Sequence, residues 1–169
     1  MRLPSQTSSL IVTSIIGLAL VALNLNPKVG FRVAHAAASP DSVNPCKLIT
    51  AAEAQSALGM PVSAGEFMDD NIFRHCKFTG ATNTGAGYPY VIISLISRDK
   101  AAFDKMNPHD FERATGTNLD AFFFKGSPWV TVWHNGVELQ IQISFSDDAG
   151  KARAKTQELK LADIAVTRF

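Results

Sequence analysis

The order of patterned segments in this chain predicts an α+β fold, an antiparallel sheet packed by two or three helices in the order α-β-β-α-β-β-β-α. Three observations carry that expectation. A capping box opens a helix near residue 50, an Asn-Gly pair separates two strand-like runs near residue 135, and a long helical pattern closes the chain. Strands joined by a tight turn pair antiparallel, and helices of this kind bury one face on such a sheet.

Each element has a local cause. In Thr50-Ala-Ala-Glu53 the hydroxyl and the carboxylate satisfy backbone N–H groups that a helix start leaves orphaned. Ile49 can staple onto Ala54, and Gly59 followed by Pro61 ends the helix. Arg74 to Thr79 reads as a short strand carrying Cys76. A Gly/Thr/Asn loop, Gly80 to Gly87, leads into Tyr88–Ser97. Its Val91-Ile-Ile-Ser-Leu-Ile96 run is apolar on both faces, which suggests a central strand covered on both sides. A second helix is expected from about Asp99 to Met106, burying Ala102, Phe103 and Met106, with Pro108 as its stop. Ala121-Phe-Phe-Phe124 precedes a hairpin with arms Trp129–His134 and Val137–Phe145. The last helix is expected to start near Asp147-Asp148, acids suited to a helix N-terminus, and to run to about Val166. Ala152, Thr156, Leu159, Ala162 and Val166 form its expected buried stripe.

The 169 residues suffice for one domain, with 46% hydrophobic and 18% charged residues and a net charge of +1. Eleven Phe, two Trp and two Tyr supply a core and exclude disorder. The apolar run Leu10 to Leu23, preceded only by the charge of Arg2, has the length of a signal-peptide core and falls short of the roughly 20 residues a membrane span prefers. Ala34-His35-Ala36 has the small-x-small form of a cleavage site, so the expected organisation is a signal peptide over 1–36, a linker over 37–45 and one domain over 46–169. Lys28 and Arg32 lie untypically between the apolar run and the cut, which keeps an uncleaved anchor as the alternative. The expected location is periplasmic or secreted, with the membrane touched only transiently through the export signal. Loss of Arg2, Lys28 and Arg32 leaves 13 basic against 15 acidic residues, a net charge of −2 with no excess for gripping nucleic acid. Cys46 and Cys76 are even in number, carry no Cys-x-x-Cys spacing and read as a structural disulfide in an oxidising compartment.

The opening Cys46-Lys-Leu-Ile-Thr50-Ala-Ala-Glu53-Ala-Gln-Ser-Ala-Leu58-Gly59 resembles a family of small bacterial exported or lipoprotein domains of unknown function, which begin Cys-x-Leu-Leu-Thr-x-x-Glu-Ala and continue to Leu-Gly. Cys76-Lys-Phe78 is similar to that family's second cysteine on a strand. Asp120-Ala121-Phe122 resembles its Gly-Asp-Ala-aromatic segment, ahead of a Gly-centred hairpin and a terminal helix. The resemblance spans residues 46–166 and implies an exported α+β domain and no reaction. The chain departs from the pattern in having Val43-Asn44-Pro45 where a lipobox would stand, and Thr117-Asn118-Leu119 where Gly is common before Asp-Ala.

No catalytic signature emerges. His75, His109 and His134 stand at no metal-ligand spacing, and no metal or other cofactor is expected. His75 beside Cys76 suggests an activated thiol only if that cysteine is not bridged. Asp69-Asp70 points to opposite faces in a strand, and the Gly80 to Gly87 loop fits no nucleotide fingerprint. The hairpin offers a surface. With a two-residue turn at Asn135-Gly136, Trp129, Thr131 and Trp133 share a face with Glu138, Gln140 and Gln142, a platform able to hold a sugar, a peptide or a partner. With a three-residue bulged loop, both tryptophans turn into the core. A covering helix or neighbouring strand would also bury them in the first register, and a structural role is the simpler expectation. The function expected is a non-enzymatic binding or interaction domain for an envelope protein or small ligand. The alternatives are a structural or accessory subunit, or a hydrolase using His109, Asp110 or Glu112.

Overall fold

The structure is a computed structural model that describes residues 42–70, 73–85, 87–106, 109–126, 129–145 and 147–168, all within the unit 35–169. The expected signal peptide, and the linker up to residue 41, lie outside the described residues. Val43 and Pro45, read as linker in the sequence, pack onto the domain.

A short 3-10 turn, Pro45–Lys47, leads into α1 (Ala51–Leu58). The capping box forms as expected: Glu53 N–H donates to Thr50 Oγ1 at 3.3 Å, and Thr50 N–H donates to Glu53 Oε2 at 2.6 Å. Then come β1 (Glu66–Asp69), β2 (Phe73–Thr79) and β3 (Tyr90–Ile96), α2 (Lys100–Asp104), β4 (Phe111–Arg113), β5 (Asp120–Phe124), β6 (Trp129–His134), β7 (Val137–Ser144) and α3 (Asp148–Val166). The strands form one antiparallel sheet in the order β1-β2-β3-β7-β6-β5-β4, so the fold is α+β.

The two strands that the sequence reading lacked, β1 and β4, are the edges of the sheet. They have four and three residues, too short for an alternation to be legible. Their strand geometry comes from ladder bonds to β2 and β5 rather than from their own pattern.

Asn135 and Gly136 both adopt positive φ, 46° and 84°, as a two-residue hairpin turn needs for its twist to match the strands. His134 therefore pairs with Val137, and Trp129, Thr131 and Trp133 share a face with Gln142, Gln140 and Glu138.

Helices α1 and α3 cover one face of the sheet, over Cys76, Phe78, Val91, Ile93, Val130, Val132, Leu139 and Ile141. The disulfide between Cys46 and Cys76, Cα atoms 5.0 Å apart, ties the 3-10 turn to β2 beneath this layer. Arg168 just past α3 forks onto the Glu53 carboxylate at 2.7 and 2.8 Å, joining the ends of α3 and α1. The buried residues of α3 are Gly150, Ala154, Glu158, Leu161, Ala162 and Ala165, whereas Ala152 and Thr156 of the expected stripe are exposed. The reason is that an acid and a glycine occupy the buried face. A Cβ at Gly150 would fall within 3 Å of Phe145 Cβ, so only glycine lets the helix start this close to β7. Glu158 reaches Ile143, which lies beyond the last β6–β7 pair, and accepts its N–H at 3.1 Å.

The opposite face is only partly covered. Here α2 lies across the β5–β6 side, shorter than the expected helix: Phe103 is buried, Ala102 exposed and Met106 half-buried outside it. Strand β3 is interior to the sheet, but its second face is not closed over. Ile96 is buried, while Ile92 and Ser94 remain half-exposed.

Candidate functional site

Strand register sorts the partly covered face into rows. One row runs Phe73, Ile96, Glu138, Trp133, Asp120 across β2, β3, β7, β6 and β5. The next runs His75, Ser94, Gln140, Thr131, Phe122, and the third Lys77, Ile92, Gln142, Trp129. Because each strand alternates faces, these side chains are brought together by strand order and are distant in sequence.

Helix α2 closes the first row. The Phe103 ring meets Phe122 edge-on at 5.4 Å and Trp133 at 5.7 Å. Lys100 lies over both Phe103 and Trp133, pairs with Asp104 and donates to Asp120 at 2.9 Å. Burial works against the Asp120 carboxylate, but hydrogen bonds from Lys100 and Arg113 outweigh it and hold its pKa below the ordinary value.

Under this cover is a buried polar network. Glu138 is fully buried on the sheet; its Oε1 accepts from Thr131 Oγ1 at 2.7 Å and from Gln140 Nε2 at 3.1 Å. Its Oε2 forms an ion pair with Arg98 Nε at 3.0 Å. The carboxylate can only accept, so it fixes the orientation of the Gln140 amide and leaves that side chain's carbonyl oxygen as a further acceptor.

Beside the network the face opens into a groove of about 310 Å³ lined by Phe73, His75, Ile92, Ser94, Trp129, Gln140 and Gln142. That is near the lower end of common ligand pockets, roughly 300–1,000 Å³. Trp129 forms the wall on the β6 side. Its ring stacks on Phe124 at 4.5 Å and 8°, and Phe124 in turn meets Phe111 at 5.3 Å, an aromatic ladder across three strands. Among the described residues the buried indole Nε1 has no acceptor, which costs about 1–3 kcal/mol.

Of the surface expected from sequence, Trp129 and Gln140 line the groove. Thr131 is fully buried and spent on Glu138, and Trp133 lies under Phe103. Four groove residues were missing from the sequence reading of this surface: Phe73, His75, Ile92 and Ser94. Their one sequence signal is alternation along β2 and β3, which gives parity but not which strands are neighbours. His75 and its neighbour Cys76 point to opposite faces, the histidine to the groove and the cysteine into the disulfide, so no thiol stands beside the imidazole.

The other expected chemistry is dispersed. Glu112 on β4 is exposed and bound by Lys155 of α3 at 3.0 Å, and His109 and Asp110 are exposed in the preceding turn. Asp69 pairs with Arg74 at 3.3 Å, and Asp70 accepts the Phe73 N–H at 2.7 Å in the β1–β2 connection. Among the described residues no three His, Cys, Asp or Glu side chains are grouped to hold a metal ion.

A second cavity, of about 460 Å³, lies on the helical side between Phe124, Phe145, Lys151 and Lys155. It is the larger, but Lys151 is engaged by Asp148 at 2.9 Å and Lys155 by Glu112. The groove on the sheet is the better candidate because its polar side chains are less committed. Comparisons of the chain with protein-family models, with curated proteins and with solved structures found no match.

Proposed function

We propose that this chain is an exported, non-enzymatic binding domain of the bacterial envelope, released by cleavage near Ala36, that engages a ligand or partner through the groove beside Trp129. The observation that carries this reading is the uneven cover of the sheet. One face lies under α1 and α3, while on the other α2 leaves Phe73, His75, Ile92, Ser94, Gln140 and Gln142 at a half-open groove. Buried apolar surface left partly open beside polar groups is where binding is gained.

The exported address is supported by the leader sequence and by the Cys46–Cys76 bridge, since structural disulfides persist in oxidising compartments. The likeness of the Cys46 to Gly59 segment to small envelope domains points the same way. Among the described residues no helix is long and apolar enough to cross a membrane.

Two measurements test this. Mass spectrometry of the exported protein is expected to find an N-terminus at or near Ala37; Met1 would overturn the cleavage. A photo-crosslinking residue at Ile92 in the groove is expected to label one ligand or partner, and the same residue at Ala152 on the outer face of α3 is not. Equal labelling from both positions would favour an accessory subunit with no surface of its own.

A further inference from the structure

Resting on the reading of the groove as the binding surface, we infer that its ligand is a neutral carbohydrate. The side chains lining it bring no carboxylate, ammonium or guanidinium group, and Lys77 at the end of the third row lies over the Tyr90 ring, 5.1 Å from its centroid. What it offers instead is a mixture of donors and acceptors. Ser94 supplies a hydroxyl, Gln142 a whole amide, His75 an imidazole, and Gln140 the carbonyl oxygen that Glu138 leaves over. A sugar hydroxyl both donates and accepts, so mixed donors and acceptors in close rows satisfy it, whereas a lone donor or acceptor type does not.

The spacing suits a chain of rings. His75, Ser94 and Gln140 stand in one row on β2, β3 and β7, with Gln142 and Trp129 in the next row on β7 and β6. Neighbouring strands lie roughly 4.8 Å apart, so the polar groups are spread over roughly 10 Å from β2 to β7, with the Trp129 ring one strand further on. Between them Ile92, Phe73 and the Trp129 ring provide the apolar surface that the C–H faces of a sugar need. The Glu138 network adds orientation: by accepting a hydrogen bond from Gln140 Nε2 it presents one fixed acceptor to the groove instead of a freely flipping amide.

The test uses the exported form, labelled with 15N, against a panel of neutral trisaccharides built from glucose, galactose, mannose and N-acetylhexosamines. A neutral tripeptide and a hexaglutamate serve as controls. The readout is the indole N–H resonance of Trp129, told apart from that of Trp133 by a Trp133→Phe variant. At least one neutral trisaccharide is expected to shift it saturably, with affinity reduced about tenfold in Gln142→Ala and in Ser94→Ala. Both substitutions are at half-exposed positions, and unchanged thermal unfolding will show that the fold survives them. Shifts from the tripeptide alone would overturn the carbohydrate while leaving the groove as the binding surface. Shifts from hexaglutamate alone would overturn the neutral-ligand argument. No shift from any trisaccharide would overturn the inference, and labelling from Ile92 then decides separately whether the groove binds anything.

Discussion

Glu158 provides the sharpest stability prediction. Its side chain is fully buried on α3, with Oε1 accepting the Ile143 N–H and Oε2 without a partner among the described residues. Burial pushes its pKa up to about 7, against the opposing pull of the Ile143 N–H and the positive charge of Lys155. The ordinary value, which applies in the unfolded chain, is 4.5. Between these values the folded state holds the extra proton. The stabilisation is therefore complete below pH 4.5 and is lost as pH rises through 7. From pH 5 to pH 8 the loss integrates to about 2–3 kcal/mol. Glu158→Gln keeps the shape and the acceptor for Ile143 but cannot ionise. Urea unfolding of both proteins at pH 5, 6, 7 and 8 is the assay. The wild type is expected to lose about 2–3 kcal/mol relative to the variant across that range. A difference between the two that does not change with pH would refute the reasoning, because it would mean that Glu158 titrates alike in the folded and unfolded chains.

Other perturbations have equally definite outcomes. Replacing both Cys46 and Cys76 with Ala opens a loop of 30 residues and is expected to cost about 3–4 kcal/mol, read by denaturant unfolding under oxidising conditions. Phe103→Ala removes the buried ring that pins α2 to Phe122 and Trp133; a loss of about 3–5 kcal/mol and easier iodide quenching of Trp133 fluorescence are expected. Gly150→Ala, a change that favours an ordinary helix interior, is expected to lower the melting temperature here because its Cβ meets the backbone-proximal atoms of Phe145. The Arg168 fork lowers the Glu53 pKa to about 2, so its contribution is present above pH 4.5 and fades as pH falls towards 2. Arg168→Met is expected to weaken that acid-limb dependence to the part set by the Thr50 hydrogen bonds, in unfolding curves measured from pH 5 down to 2.

How far the sequence was legible depended on how local each cause was. The α1 capping box, the Asn135-Gly136 turn and the Asp147 cap of α3 act within a few residues, and all three appear where local chemistry puts them. The buried face of α3 was misjudged because Glu158 and Gly150 are chosen by contacts with Ile143 and Phe145 on another element, which helical spacing cannot show. Edge strands β1 and β4 exist through their neighbours' ladders, so their own residues carry little signal. The groove is legible in halves. Hairpin register placed Trp129 with Gln140, but bringing His75 and Ser94 beside them required β3 to sit between β2 and β7, a long-range choice. Trp133 shows the converse: it has the right parity for the surface, and α2 then covers it.

The claim that the face opposite α1 and α3 does the binding is tested most directly by mapping backbone amide shifts. The 15N-labelled exported form would be titrated with the glycan and small-molecule fraction of the envelope of the producing cells. Shifts concentrated at His75, Ser94, Gln140, Gln142 and Trp129 are expected. Shifts concentrated instead at Lys151, Lys155 and Phe145 would place binding in the helical-side cavity and contradict it.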